Sequence, residues 1–222
     1  MTSPLSTEDS FVRSAGKQLA IYALVAVVVL VALMYALNFA ASLTSTGAGG
    51  VAGAIDAENN EISIYLREEP PQMNSMLATD TVSGMVLGHV MEGLLRYDAN
   101  DQIVPAMAER WEINGNRATF WIRENARWSN GDPVTAQDFE FAWKTTLDPA
   151  TGSQYSFILY PIKNAEAANT GQLPVESVGV RALDARTLVV ELEQPIAYFD
   201  KLVSFATYLP VQEQAFTAAN GR

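Results

Sequence analysis

The side chains that could carry chemistry are few and poorly grouped for it. The chain has no cysteine and a single histidine, His89. It therefore offers no thiol nucleophile and no Cys-based metal site, and most zinc-hydrolase schemes lack their ligands. A Ser/His/Asp triad would have to use His89, which falls in the apolar run "TVSGMVLGHVMEGLL" and is expected to be a packed, hydrogen-bonded residue. Asp138 and Glu140 are two residues apart on one expected helix and point to different sides. They do not make the facing carboxylate pair of a glycosidase. Glu68-Glu69 reads as the solvated end of a strand, and "TGAGGVAGA" has glycines without the lysine or preceding strand of a phosphate-cradling loop. No enzyme, no cofactor and no metal site is expected.

The elements that would position any site are clearer. "ENARWSNGDPVTAQDFEFAWKTTLDP" combines a turn at Asn130-Gly131-Asp132-Pro133, an N-cap at Thr135 with its capping-box partner Asp138, and a stop at Asp148-Pro149. Phe139, Ala142, Trp143 and Thr146 recur at helical spacing, so every residue in the stretch has a structural role. "AERWEINGNRATFWIREN" predicts a hairpin: Trp111 and Ile113 lead into a turn at Asn114-Gly115-Asn116, and Ala118, Phe120 and Ile122 alternate on the return. A second hairpin is predicted with Val178, Val180 and Ala182 before a turn near Asp184-Ala185, and Leu188, Val190 and Leu192 after it. "EISIYL" alternates as a strand before Pro70-Pro71. Thr79 to Arg96 reads as a helix with Val82, Met85, Val86, Val90, Gly93 and Leu94 on one side. Its Gly84, Gly88 and Gly93 weaken an isolated helix, so close packing against a neighbour is their expected use.

The N-terminal region is of another kind. Leu19 to Leu37 contains no charge, Pro, Gly, Asn or Gln, and Phe39 to Leu43 extends the run. That is close to the roughly 20 apolar residues a bilayer-crossing helix needs. Arg13 and Lys17 precede it and no Lys or Arg follows until Arg67, which orients the N-terminus to the cytoplasm and the rest outside. The run exceeds a signal-peptide core of roughly 7–15 residues, so a retained anchor in the inner membrane is expected over a cleaved leader. The expected organisation is a cytoplasmic tail (1–17), a transmembrane helix (18–43), a small, Gly-rich tether (44–60) and a compact α/β domain (61–222). The net charge of -11 argues against nucleic acid and against docking on anionic lipid.

Several motifs stand in a familiar order. "EGLLRYD", "VPAMAERW", "IRENARWSNGDPVTAQDF", "DPATGSQY" and the later "LDARTLVVELEQPIAYFDKL" together resemble the family 5 extracellular solute-binding proteins of ABC importers, above all those for oligopeptides. The resemblance covers about Glu61 to Phe216. It implies a periplasmic-binding-protein type II-like α/β fold, of which this chain would hold the N-terminal portion of the main lobe plus a small accessory domain, preceded here by the transmembrane helix. It also implies capture of an extended peptide by lobe closure, with the importer's permease as partner. Receptors for dipeptides, murein peptides, nickel or a sugar remain open within the family, as does a membrane-anchored interaction or chaperone-like protein on the same fold. Carried over residue by residue, Tyr155 matches the tyrosine that faces the bound peptide, and Thr79, Asp80 and Thr81 match the segment running beside its backbone. Thr79 stands where similar proteins carry a glutamate. Trp111, Trp121, Trp128 and Trp143 match scaffold tryptophans and are expected in the core.

Overall fold

The computed structural model describes residues 22, 24–39, 55–56 and 58–219. The chain divides into two units, Met1–Tyr65 and Leu66–Arg222. In the first, residues 24–39 are helical and exposed along their whole length. None of the described helices is long and apolar enough to cross a membrane; the expected span reaches beyond the described residues at both ends. Strand β1 (Ile55–Asp56) pairs antiparallel with β2 (Glu61–Ile62). The end of the expected tether is thus a small hairpin. The strand expected over "EISIYL" stops after two residues, leaving Ile64 and Tyr65 exposed.

In the second unit, helix α1 (Thr81–Val90) leads to β3 (Leu95–Tyr97), which pairs with β4 (Ile103–Pro105). A four-stranded antiparallel sheet follows, built from β5 (Ala108–Asn114), β6 (Arg117–Ile122), β7 (Val180–Ala182) and β8 (Thr187–Glu191) in the order β5-β6-β8-β7. Between β6 and β7 lie α2 (Ala136–Leu147) and α3 (Ala165–Asn169); α4 (Phe199–Leu202) and α5 (Glu213–Ala218) close the described chain.

Both hairpin expectations hold. Asn114 pairs with Arg117 around Gly115-Asn116, and Gly115 has φ +60, the left-handed value a two-residue hairpin turn requires of its first residue. Ala118, Phe120 and Ile122 face inward opposite Val190 and Leu188. Val178 precedes β7, capping the turn Val175–Ser177, and Leu192 falls outside β8, in an isolated bridge with Ile162. Against this inner face α2 lays Phe139, Ala142, Trp143 and Leu147, all fully buried. The α2 start is as expected from the sequence: Asp138 Oδ2 accepts from the Thr135 N–H (2.7 Å), its hydroxyl (3.0 Å) and the Trp128 indole (3.3 Å). Asp148 ends α2 and accepts from the Ala150 N–H to start the next turn. An edge-to-face aromatic series, Phe139, Trp143, Tyr208 and Phe199, runs through the core. Burial pushes the Tyr208 phenol up.

The long helix expected over Thr79–Arg96 is shorter. Met91 is extended, Gly93 and Leu94 carbonyls accept from the Met107 and Ala108 N–H groups, and Glu92 pairs with Arg123 at 2.6 Å. Leaving the helix lets Leu94 and Leu95 reach the core, where both are buried. The α1 face also differs from the expected one: Ser83 and Leu87 are buried, while Met85 and Val90 are exposed. His89 is exposed rather than packed, with Nδ1 2.7 Å from the Met85 carbonyl. Gly84 and Gly88 are not close-packed; a Cβ at either meets nothing within 4 Å. Gly84→Ala should therefore stabilise the chain by about 0.5–1 kcal/mol, the helix-interior gain over glycine. A urea midpoint at or below the parent's would contradict the open face.

Candidate functional site

Pro70 and Pro71 end the preceding segment, and the chain then folds around Asn74. Its carbonyl accepts from the Leu77 and Ala78 N–H groups (3.0 and 2.9 Å) and its Oδ1 from Met76. Ser83, fully buried in the first turn of α1, accepts from the Gln72 N–H through Oγ. Its own N–H donates to Asp80 Oδ1 at 2.8 Å, making Asp80 the N-cap of α1. That backbone bond first, and the Ser83 hydroxyl second, hold the Asp80 carboxyl below the usual carboxylate range. The carboxylate expected beside a ligand thus already has a partner in the fold.

The loop after α2 reaches this segment from 76 residues away. Gly152, with φ +67, turns the chain. Ser153, nearly buried, then donates its hydroxyl to the Met76 carbonyl at 2.5 Å, and Tyr155 donates its phenol to the Thr79 carbonyl at 3.2 Å. Tyr155 and Thr79, proposed on separate motifs, are therefore in contact. Asp80 and Thr81 are the next two residues, Asp80 half-buried and Thr81 exposed. With its proton committed to Thr79, the phenol oxygen keeps lone pairs for a ligand N–H, and a 37 % exposed ring offers an apolar face. The Thr79 N–H makes no bond among the described residues. One free backbone donor, one acceptor and a partly exposed ring suit an extended peptide.

Neither Ser153 nor Ser83 is a candidate on sequence grounds. "TDTVS" does carry the local pattern of an N-cap three residues before a backbone donor; nothing local marks the Ser153 contact. The tryptophans divide. Trp143 is fully buried and Trp111 and Trp128 partly so, whereas Trp121 lies on the outer face of the sheet beneath the Arg110 guanidinium, 3.4 Å from the ring centroid. Trp121, half-buried like Trp111 and Trp128, is thus stacked on the outer face by a cation–π contact instead of packing on the core.

The family described as "Bacterial extracellular solute-binding proteins, family 5 Middle" matches residues 102–221. The chain belongs to it. Tyr155 lies inside the match, and Thr79 to Thr81 precede it. Among family relatives, the oligopeptide-binding protein OppA of Bacillus subtilis is 44% identical over 171 residues, which are 76% of this chain and 31% of that protein. The substrate-binding domain of an oligopeptide ABC transporter from Bacillus anthracis superposes with TM-score 0.69 at 46% identity, covering 70% of this chain and 30% of that one. Listeria monocytogenes OppA bound to peptide gives TM-score 0.66 at 36% identity, over 68% of this chain and 30% of the other. The mixed α/β fold is thus that of the solute-binding family, and the chain spans about a third of the length of these relatives.

Proposed function

We propose that this chain supplies part of a peptide-binding receptor of an ABC importer, which delivers extracytoplasmic peptides to a permease. The Tyr155–Thr79 hydrogen bond carries the reading. It joins the two segments that the family resemblance puts beside the ligand, in a chain whose relatives named above are oligopeptide-binding. On this reading the unit from Leu66 onward belongs to one lobe and the small accessory domain of a two-lobed protein, and closure by the other lobe completes the cleft. Tyr155 lies along the peptide backbone and contributes affinity without choosing sequence.

Tyr155→Ala should weaken two unrelated peptides by similar amounts, on the order of 1–3 kcal/mol, as for a polar contact left unpaired. Its melting temperature should stay near the parent's, because a partly exposed ring closes no core. Unchanged dissociation constants with a lowered melting temperature would assign Tyr155 to the scaffold instead.

The apolar N-terminal stretch is the proposed membrane tether, which would hold the receptor at a high effective concentration near its permease. Mass spectrometry of the protein from membranes should find an N-terminus upstream of Leu19. A mature N-terminus beyond Ser42 would remove the anchor.

A further inference from the structure

The residue that stands out beside the candidate site is Phe157. The turn Ser156–Leu159 turns Ser156 and Leu159 inward, so Phe157 projects outward with 56% of its surface exposed. The turn is pinned: Ser156 Oγ and the Tyr160 phenol both bond Asn169 Oδ1 at 2.9 Å, and the Asn169 amide donates to the Leu147 carbonyl at 3.0 Å. Backbone bonds from Ile158 to Tyr155 and from Tyr160 to Phe157 close it. The Phe157 ring meets the Tyr155 ring edge-to-face, with centroids 5.9 Å apart at 80°. Two nearly perpendicular rings, one tied to Thr79 and one on a braced turn, form an apolar corner open to solvent. Neither structural bond nor core burial accounts for the large exposed ring. Covering it with an apolar group releases water from both surfaces, and a ring held by its neighbours loses little freedom in doing so.

We propose that Phe157 is a specificity-determining residue: its ring extends the Tyr155 surface into a ledge that favours peptides carrying an apolar side chain where the backbone passes Tyr155. This rests on the peptide-binding reading and adds a side-chain preference to it. Tyr155 reads backbone, which every peptide has; Phe157 reads one side chain.

The test uses the full chain, penta-alanine, and five variants of that peptide with one leucine placed at each position in turn. Competition by ligand-observed NMR, which reads millimolar affinities, gives the ratio of each leucine peptide to penta-alanine. At one position the parent should prefer leucine about tenfold, the scale of one added apolar side chain against an apolar wall. Phe157→Ala should bring that ratio to about twofold or less, and Phe157→Leu should restore part of it. A ratio kept in Phe157→Ala, or equal weakening of all six peptides, overturns the proposal by making the ring irrelevant or merely a support for Tyr155. Binding of peptides by the parent with no positional preference also overturns it, leaving the receptor reading intact. Failure of the parent to bind any of the six overturns the ledge without touching the receptor reading, in which the other lobe completes the cleft.

Discussion

Trp143→Ala should lower the unfolding free energy by roughly 3–5 kcal/mol, the cost of truncating a buried tryptophan. The indole has no exposed surface and touches Phe139 and Tyr208 edge-to-face, the latter at 4.9 Å between centroids. Its N–H donates to the Tyr208 carbonyl at 2.9 Å, so truncation opens a cavity and also orphans a buried acceptor. Tyr208 is itself tied through its phenol to the Ile158 carbonyl, which restricts how far the site can collapse into the space. A domain of this kind has only about 5–15 kcal/mol in total, and the variant should lose a large fraction of it. Urea unfolding followed by circular dichroism measures the loss; a midpoint equal to the parent's would be incompatible with a Trp143-centred core. The same truncation at half-buried Trp128 should cost clearly less, although the two tryptophans look equivalent in the sequence.

Gly179→Ala should cost about 1–3 kcal/mol, or more, as an overpacked site. A Cβ there would lie 2.8 Å from the Glu191 carbonyl oxygen and 2.8 Å from the Lys163 Cβ. Neither obstacle is the free end of a long side chain. The Gly179 N–H bonds the Lys163 carbonyl at 2.8 Å, the Gly179 carbonyl accepts from Glu191 at 2.7 Å, and Lys163 in turn bonds Glu191 at 2.9 Å. Three backbone segments therefore lock one another, and relieving the clash means lengthening at least one of these bonds. A melting temperature within a degree of the parent's would show that the mesh yields freely.

What could be read from the sequence was what is encoded locally. The β5–β6 hairpin follows from alternation around Asn114-Gly115-Asn116, and the start of α2 from Thr135 and Asp138, within three residues of each other. The end of α1 could not be read, because Val90, Gly93 and Leu94 continue a helical period that the chain abandons at Met91. What decides it is the burial of Leu94 and Leu95 in a core that draws in residues as far along the chain as Phe199 and Tyr208, a tertiary gain that periodicity does not carry. At the candidate site, Tyr155 and Thr79 were placed by family resemblance, and the distance between them came from the structure. The Ser153 hydroxyl on the Met76 carbonyl spans 77 residues, and no short pattern announces such a bond. Trp121 reads as core by type, yet its side of β6 is set by a two-residue alternation in which Phe120 and Ile122 take the inner face.

The strand order β5-β6-β8-β7 also sets a timetable. The β5–β6 hairpin can form within about 1–10 μs of its residues becoming free, but the partner for the other edge of β6 begins only at Thr187, 65 residues after β6 ends at Ile122. At about 5–20 residues per second of synthesis, the newborn hairpin waits roughly 3–13 s with an open row of backbone groups along β6, even after α2 is complete at Leu147 and available to cover Phe120 and Ile122. Through that interval the open edge of β6 is a template for mispairing, until β8 arrives.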